Sequence, residues 1–320
     1  MDKVALWGAS GAIGRTVAAA FRAQNRPYRV VGRNRETLER EFGSDPLAEI
    51  VLWNPEDPES VRAAASGVAA IVYLVGVDYW RFDLHPKLMC ATLDGAIAAG
   101  VARMLLVATI YPYGPRRGPN PVREDHPREP NSVKGGRRKE QEDMLLEADR
   151  AGKIRGCVLR LPDFYGPGVE KSFLHGLFVA GATGTTGNLI GPIDAQHEFV
   201  FVPDVGPVVA NLVDDPRAYG RVLHLGGAGA TTERAIVQIV EQQTGRRVKT
   251  LVANATMLRM IGLFNPMMRE LVEMHYLMTE PFVLDDSALA GLIGPIHKTS
   301  YEDGVRACLA AIKASSPQAA

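Results

Sequence analysis

Through the first half of the chain, short apolar runs alternate with stretches whose apolar residues recur at helical spacing. The runs at residues 4–7, 28–31, 49–53, 70–75, 103–108 and 156–161 read as strands. Between them, residues 13–24, 36–42, 58–65, 86–99 and 136–151 read as helices. Strict alternation with continuously apolar strands predicts a parallel sheet covered by helices on both faces, with right-handed crossovers. The expected class is therefore α/β, a doubly wound parallel sheet.

The second half is less regular. Residues 168–198 are rich in Gly and Thr, and 199–205 (FVFVPDV) and 221–227 (RVLHLGG) read as further strands. Residues 231–245 (TTERAIVQIVEQQTG) read as a helix closed by Gly245. Residues 1–167, completed by 199–245, are expected to form one domain. Residues 168–198 and 246–320 are expected to form a smaller, C-terminal substrate-binding region. Met257, Met260, Met267, Met268, Met274 and Met278 crowd residues 255–280. That suits either a core or dimer helix or an adaptable wall of an apolar pocket. Residues 114–135 hold Pro115, Pro119, Pro121, Pro127 and Pro130, a long loop of the kind that serves as a lid or binding loop.

The 320 residues are 46% hydrophobic and 22% charged, which excludes a disordered chain. Lys plus Arg and Asp plus Glu are 36 each, so no basic footprint argues for nucleic acid or an anionic membrane. Cys90, Cys157 and Cys308 are far apart and form neither a disulfide framework nor a zinc motif. The histidines show no H-x-x-x-H spacing, so no metal is expected. The N-terminus reads as a strand and turn rather than a signal peptide, and no apolar run reaches the ~18 residues of a membrane span. A soluble, cytoplasmic protein is expected.

The most specific stretch is Val4-Ala-Leu-Trp-Gly8-Ala-Ser10-Gly11-Ala12-Ile13-Gly14-Arg15. A strand precedes it and a helix follows. Gly8 permits the tight turn, Gly11 lets the backbone approach a pyrophosphate, and Gly14 lets helix and strand pack closely. The helix N-terminus offers free N–H groups and the positive end of its dipole to the phosphates. This is a Rossmann dinucleotide site. After the second strand an NAD site wants a carboxylate for the ribose 2′-hydroxyl, but the chain reads Gly32-Arg33-Asn34-Arg35. Arg33 suits a 2′-phosphate instead, with Arg15 and Arg35 as alternatives, so NADP is expected over NAD.

The glycine spacing and later motifs resemble the extended short-chain dehydrogenase/reductases, more narrowly the NAD-dependent epimerase/dehydratase family. The resemblance is carried by Gly8-x-x-Gly11-x-x-Gly14, by Asn54-Pro-Glu-Asp57-Pro58 and by Thr109-Ile-Tyr111-Pro-Tyr113-Gly114. Arg160-Leu-Pro162-Asp163-Phe-Tyr165-Gly166-Pro167-Gly168 and Phe199-Val-Phe-Val-Pro-Asp204-Val extend it across nearly the whole chain. It implies that Asn54 meets the adenine, that Val75, Gly76 and Pro162 line the cofactor, and that Thr109 bonds the substrate oxygen. It also implies that Lys139 holds the nicotinamide ribose, with Asp163 and Tyr165 toward the substrate. Tyr113 fits a structural position. The sequence departs from the family at its Y-x-x-x-K pair, whose lysine lowers the tyrosine pKa for proton exchange with the substrate. Four residues before Lys139 stands Gly135. The acid has moved, the register differs, or the transfer is absent. Tyr111 is the first replacement, being two residues beyond Thr109 at the sheet edge where such folds bind ligands.

Two functions follow from these residues. One is an NADP-dependent oxidoreductase acting on a small organic carbonyl, alcohol or sugar derivative. The other is an NADP-bound sensor or regulator without the tyrosine. A homodimer through the helices at 86–99 and 136–151 is expected from the family and from Ala91, Ala96, Ala98 and Ala99.

Overall fold

The computed structural model describes residues 2–264, 266–280 and 282–315. The first half runs β1 (Val4–Trp7), α1 (Ala12–Ala23), β2 (Tyr28–Gly32), α2 (Arg35–Phe42), β3 (Ala48–Leu52), α3 (Pro58–Ala65) and β4 (Ala70–Tyr73). It continues with α4 (Leu84–Ala98), β5 (Arg103–Thr109), α5 (Val133–Arg150), β6 (Arg155–Leu161) and β7 (Asp163–Tyr165). Then come α6 (His175–Thr183), β8 (Gly187–Ile190), β9 (Gln196–His197), β10 (Phe199–Phe201), α7 (Val202–Leu212), β11 (Arg221–His224), β12 (Thr231–Thr232) and α8 (Glu233–Thr244). The chain closes with β13 (Thr250–Ala253), α9 (Ala255–Gly262), α10 (Pro266–Val272), α11 (Tyr276–Thr279), α12 (Ser287–Ile293) and α13 (Tyr301–Ser315).

The central sheet has the order β11-β6-β5-β4-β1-β2-β3, and every pairing in it is parallel. The winding reverses at β1, which lies between β2 and β4, so the crevice beyond its carboxyl end is where the fold receives a ligand. One face of the sheet buries Val17 and Phe21 of α1 with Val205 and Leu212 of α7. The other buries Val61 of α3, Met89 and Ala96 of α4 and Leu145 of α5. Strands that are apolar on both faces thus end up covered on both faces, as their composition demands.

A third core, outside the sheet, joins Leu177 and Phe178 of α6 to Ile236 of α8 and Val305 and Leu309 of α13. Small two-stranded ladders tie this lobe together: β7 with β10, β9 with β12, and β8 with β13. Residues 199–205 are only partly a strand, because α7 begins at Val202. Pro203 sits in the first helical turn, where its missing N–H costs nothing. Gly245 closes α8 at φ +68°, and Thr232 caps its start through its side chain. Residues 255–280 break into three short helices rather than one. Met274 and Met278 are buried against Tyr111, Tyr113 and Phe282, whereas Met260 is exposed. The side chains of Met267 and Met268 lie outside the described ones. Cys90, Cys157 and Cys308 are free.

Candidate active site

The glycine loop occupies the turn from β1 into α1. Gly8 has φ +85°, and a Cβ there would stand 2.9 Å from the Leu74 carbonyl carbon and 3.0 Å from the Val75 Cα. A Cβ on Gly14 would stand 2.4 Å from the Ala9 carbonyl oxygen. Only glycine tolerates either position. Gly11 is the N-cap of α1 and supplies no side-chain cap, so the first-turn N–H groups at Ala12 and Ile13 meet no capping side chain. This cradle fits a pyrophosphate, with Ser10 and Gly11 on its rim and Gly76 exposed beyond Val75. Arg15 is spent on the loop itself, donating to the Ser10 carbonyl at 2.8 Å. Arg35 pairs with Glu39 at 3.2 Å. Arg33 is exposed at the end of β2 and has no ion pair among the described residues. Asn54 is exposed after β3, its Oδ1 accepting the Glu56 N–H.

Further along the same carboxyl edge, β5 delivers Thr109. Its Oγ1 accepts the Tyr111 N–H at 3.3 Å, which leaves its own O–H to donate elsewhere. The Tyr111 hydroxyl lies 2.9 Å from that of Tyr79, in the loop after β4, and the Tyr111 ring stacks on Phe82. Burial holds the Tyr111 hydroxyl well above the usual phenol range, with the charges of Tyr79 and Asp163 adding to it. Pro162 is buried between β6 and β7. Asp163 follows, also buried, and its Oδ2 lies 2.8 Å from His197 Nε2.

Tyr165 is placed elsewhere than the substrate side. It is fully buried in the third core, among Phe178, Phe201 and Tyr301, and a Cβ on Gly304 would stand 2.2 Å from its hydroxyl oxygen. Tyr113 is structural: its hydroxyl accepts from Arg160 at 2.7 Å and lies 2.5 Å from His224 Nε2.

The largest departure from the sequence reading concerns α5. Ser132 caps this helix by accepting the Gly135 N–H at 3.0 Å, so the helix starts earlier than residue 136. A Cβ on Gly135 would stand 2.7 Å from the Tyr111 carbonyl oxygen and 2.7 Å from Pro130 Cβ. Position 135 is thus a packing glycine that lets the helix touch the Tyr111 loop, and it has no room for a side chain. Lys139 makes no hydrogen bond to Thr109 or Tyr111 among the described residues. It is partly exposed, and its ammonium binds Asp143 at 2.7 Å, one turn further on. The helix directs Lys134 and Arg138 inward instead, four residues apart on one face. The Lys134 ammonium lies over the Tyr79 ring at 5.1 Å and pairs with Glu270 and with Glu273, the latter at 2.7 Å. Arg138 donates to His85 Nδ1 at 3.2 Å, and its charge acts on Tyr73 and Tyr111. Burial, with the Arg138 charge, pushes His85 down to about 2, so this imidazole is neutral and accepts.

Sequence reasoning singled out none of Tyr79, Phe82, Arg138 and Glu233. The K-x-x-x-R spacing of Lys134 and Arg138 was the available signal for that pair. No group of three or more His, Cys, Asp or Glu among the described residues could hold a metal ion. No described helix is long and apolar enough to cross a membrane.

Comparison with known proteins bears on the fold and the family. The chain is 26% identical over 258 residues to a dTDP-6-deoxy-L-talose 4-dehydrogenase (NAD(P)(+)) of Kitasatospora kifunensis, covering 76% of this chain and 79% of that one. Its fold is that of UDP-glucuronic acid 4-epimerase from Bacillus cereus in complex with NAD, at TM-score 0.79 and 16% identity over 98% of this chain and 99% of that one. The dTDP-glucose 4,6-dehydratase of Streptomyces venezuelae, with NAD bound, gives TM-score 0.79 at 19% identity, covering 98% and 97%. With a family profile matching residues 4–226, the chain belongs to the NAD dependent epimerase/dehydratase family.

Proposed function

We propose that this protein is a pyridine-dinucleotide-dependent oxidoreductase acting on a small organic carbonyl, alcohol or sugar derivative. One observation carries the reading. The glycine cradle and uncapped α1 N-terminus open on the same sheet edge as Thr109 and the Tyr79–Tyr111 hydroxyl pair. Gly8, Gly11 and Gly14 would hold the pyrophosphate, with Val75 and Pro162 lining the dinucleotide further on. When bound, the dinucleotide supplies or accepts a hydride. Thr109 donates its hydroxyl to the substrate oxygen. Tyr111 keeps its proton at neutral pH, so it too donates to that oxygen. Lys134 and Arg138 stand one turn apart beside Tyr79 and Tyr111, and their charges favour a developing phenolate. They take over what a lysine does for a tyrosine in a Y-x-x-x-K pair. Asp163 faces the substrate.

The test is titration with NADPH and NADH, followed by a carbonyl and alcohol panel with the bound dinucleotide. Absence of dinucleotide binding would overturn the proposal. A dinucleotide-bound sensor is the second reading, favoured by the two carboxylates that occupy the Lys134 ammonium. Tight binding without turnover on the panel would select it.

Arg33 supports a preference for NADP, since a planar guanidinium beside a 2′-phosphate forms a charge-assisted pair. Arg33→Ala is expected to weaken NADPH by about 1.5–3 kcal/mol and NADH little. Calorimetry with both dinucleotides reads this directly, and equal wild-type affinities would remove the preference. The packed pair α4 and α5 is also proposed as the face of a homodimer, with Lys87, Cys90 and Asp94 exposed on α4. Light scattering at micromolar protein should then give twice the chain mass. The chain mass alone would count against the dimer.

A further inference from the structure

Around Asp163 lies a group of side chains that hydride transfer does not need. β10 runs parallel to β7 with Phe199 opposite Asp163, and β12 runs antiparallel to β9 with Thr231 opposite His197. This brings Glu233, the first residue after β12, beside Asp163 and His197. Glu233 is 5% exposed, and its Oε2 is buried with no hydrogen-bond partner among the described residues. Asp163 is held on one oxygen by His197 and is the common charged neighbour of Tyr79, Tyr111, Tyr276 and Glu233.

We infer that Asp163 and Glu233 form a subsite for an ammonium group, so that the substrate carries an amine. This names the substrate class of the cleft and rests on the proposed function. Two carboxyl groups in one buried place cannot both ionise cheaply, and burial together with the Asp163 charge pushes Glu233 up to about 8. A cation between them removes that penalty, whereas a neutral hydroxyl leaves Glu233 protonated. The cleft already uses this chemistry once. The Lys134 ammonium rests against the Tyr79 and Phe82 rings and the Glu270 and Glu273 carboxylates. Asp163 and Glu233 offer a second pair of buried carboxyl groups, with no lysine or arginine ion pair among the described residues and only His197 on Asp163.

The experiment follows the Glu233 side-chain carboxyl by carbon NMR, in protein labelled at that carbon and assigned with Glu233→Gln. Methylammonium chloride is the probe, with sodium chloride and methanol as controls. Methylammonium is expected to lower the Glu233 midpoint by about one pH unit or more and to saturate. Calorimetry in two buffers of different ionisation enthalpy should show proton release on binding. Asp163→Asn should abolish both effects. Equal responses to methanol or sodium chloride, or no response to methylammonium, overturn the subsite. Dinucleotide binding and panel turnover are read separately, so failure here differs from failure of the oxidoreductase reading. If the panel gives turnover, amine-bearing carbonyls should outrun their hydroxyl counterparts in wild type but not in Glu233→Gln.

Discussion

Tyr111→Phe is expected to lower turnover by about 10²–10⁴-fold, the usual contribution of a positioned proton donor. The change removes only the hydroxyl, so the ring keeps its stacking on Phe82 and its burial against Met274 and Met278. Dinucleotide affinity should therefore stay nearly constant. Thr109→Val removes the other hydrogen bond to the substrate oxygen and should also cut turnover. A positioning role for Arg138 would appear differently. Arg138→Lys keeps the charge and should preserve most activity, while Arg138→Met should shift the pH profile of kcat upward because the phenolate loses its nearby cation. Full activity of Tyr111→Phe on a confirmed substrate would discard Tyr111 as donor and leave Tyr79 as the next hydroxyl in the pair.

The second large effect is on stability. Arg160 of β6 and Glu142 of α5 are each about 1% exposed and form a bidentate pair, Nε to Oε1 at 3.1 Å and Nη2 to Oε2 at 2.5 Å. Arg160 also bonds the Tyr113 hydroxyl, and its guanidinium covers the Tyr113 ring at 4.6 Å. Glu142→Leu leaves a buried guanidinium without its counter-charge and should cost about 3–5 kcal/mol in denaturant unfolding. The double variant Glu142→Leu/Arg160→Met removes both charges and should recover much of that loss. A single-variant cost below about 1 kcal/mol would show that the pair does not hold α5 to β6. The pair bears on the site because α5 carries Lys134 and Arg138.

The contrast between Gly14 and Lys139 shows what was legible in the sequence. Gly14 acts through its neighbours in the chain: a strand before it, a helix after it, and a backbone approach that any Cβ would block. Such a feature is local, so its meaning survives without coordinates. Lys139 was implied only by the family resemblance, on a helix whose residues 137–139 are all basic. Which of these basic side chains faces inward depends on the phase of α5, set by the Ser132 cap and by Gly135 touching the Tyr111 loop. Charged residues lie on both faces of α5, so no apolar stripe reveals that phase.

By itself the sequence determined the parallel sheet, its two covered faces, the dinucleotide cradle and the edge at which Thr109 and Tyr111 emerge. Apolar periodicity and glycine sterics are local properties, and each sheet strand buries itself wherever it pairs. Only the tertiary structure decided that Lys134 and Arg138, not Lys139, face Tyr79 and Tyr111. It alone turned Tyr165 into the C-terminal core and set Glu233 beside Asp163. Those placements join segments far apart in the chain, through ladders of two or three residues and one helix contact. No spacing rule in the sequence encodes which side chains such contacts bring face to face.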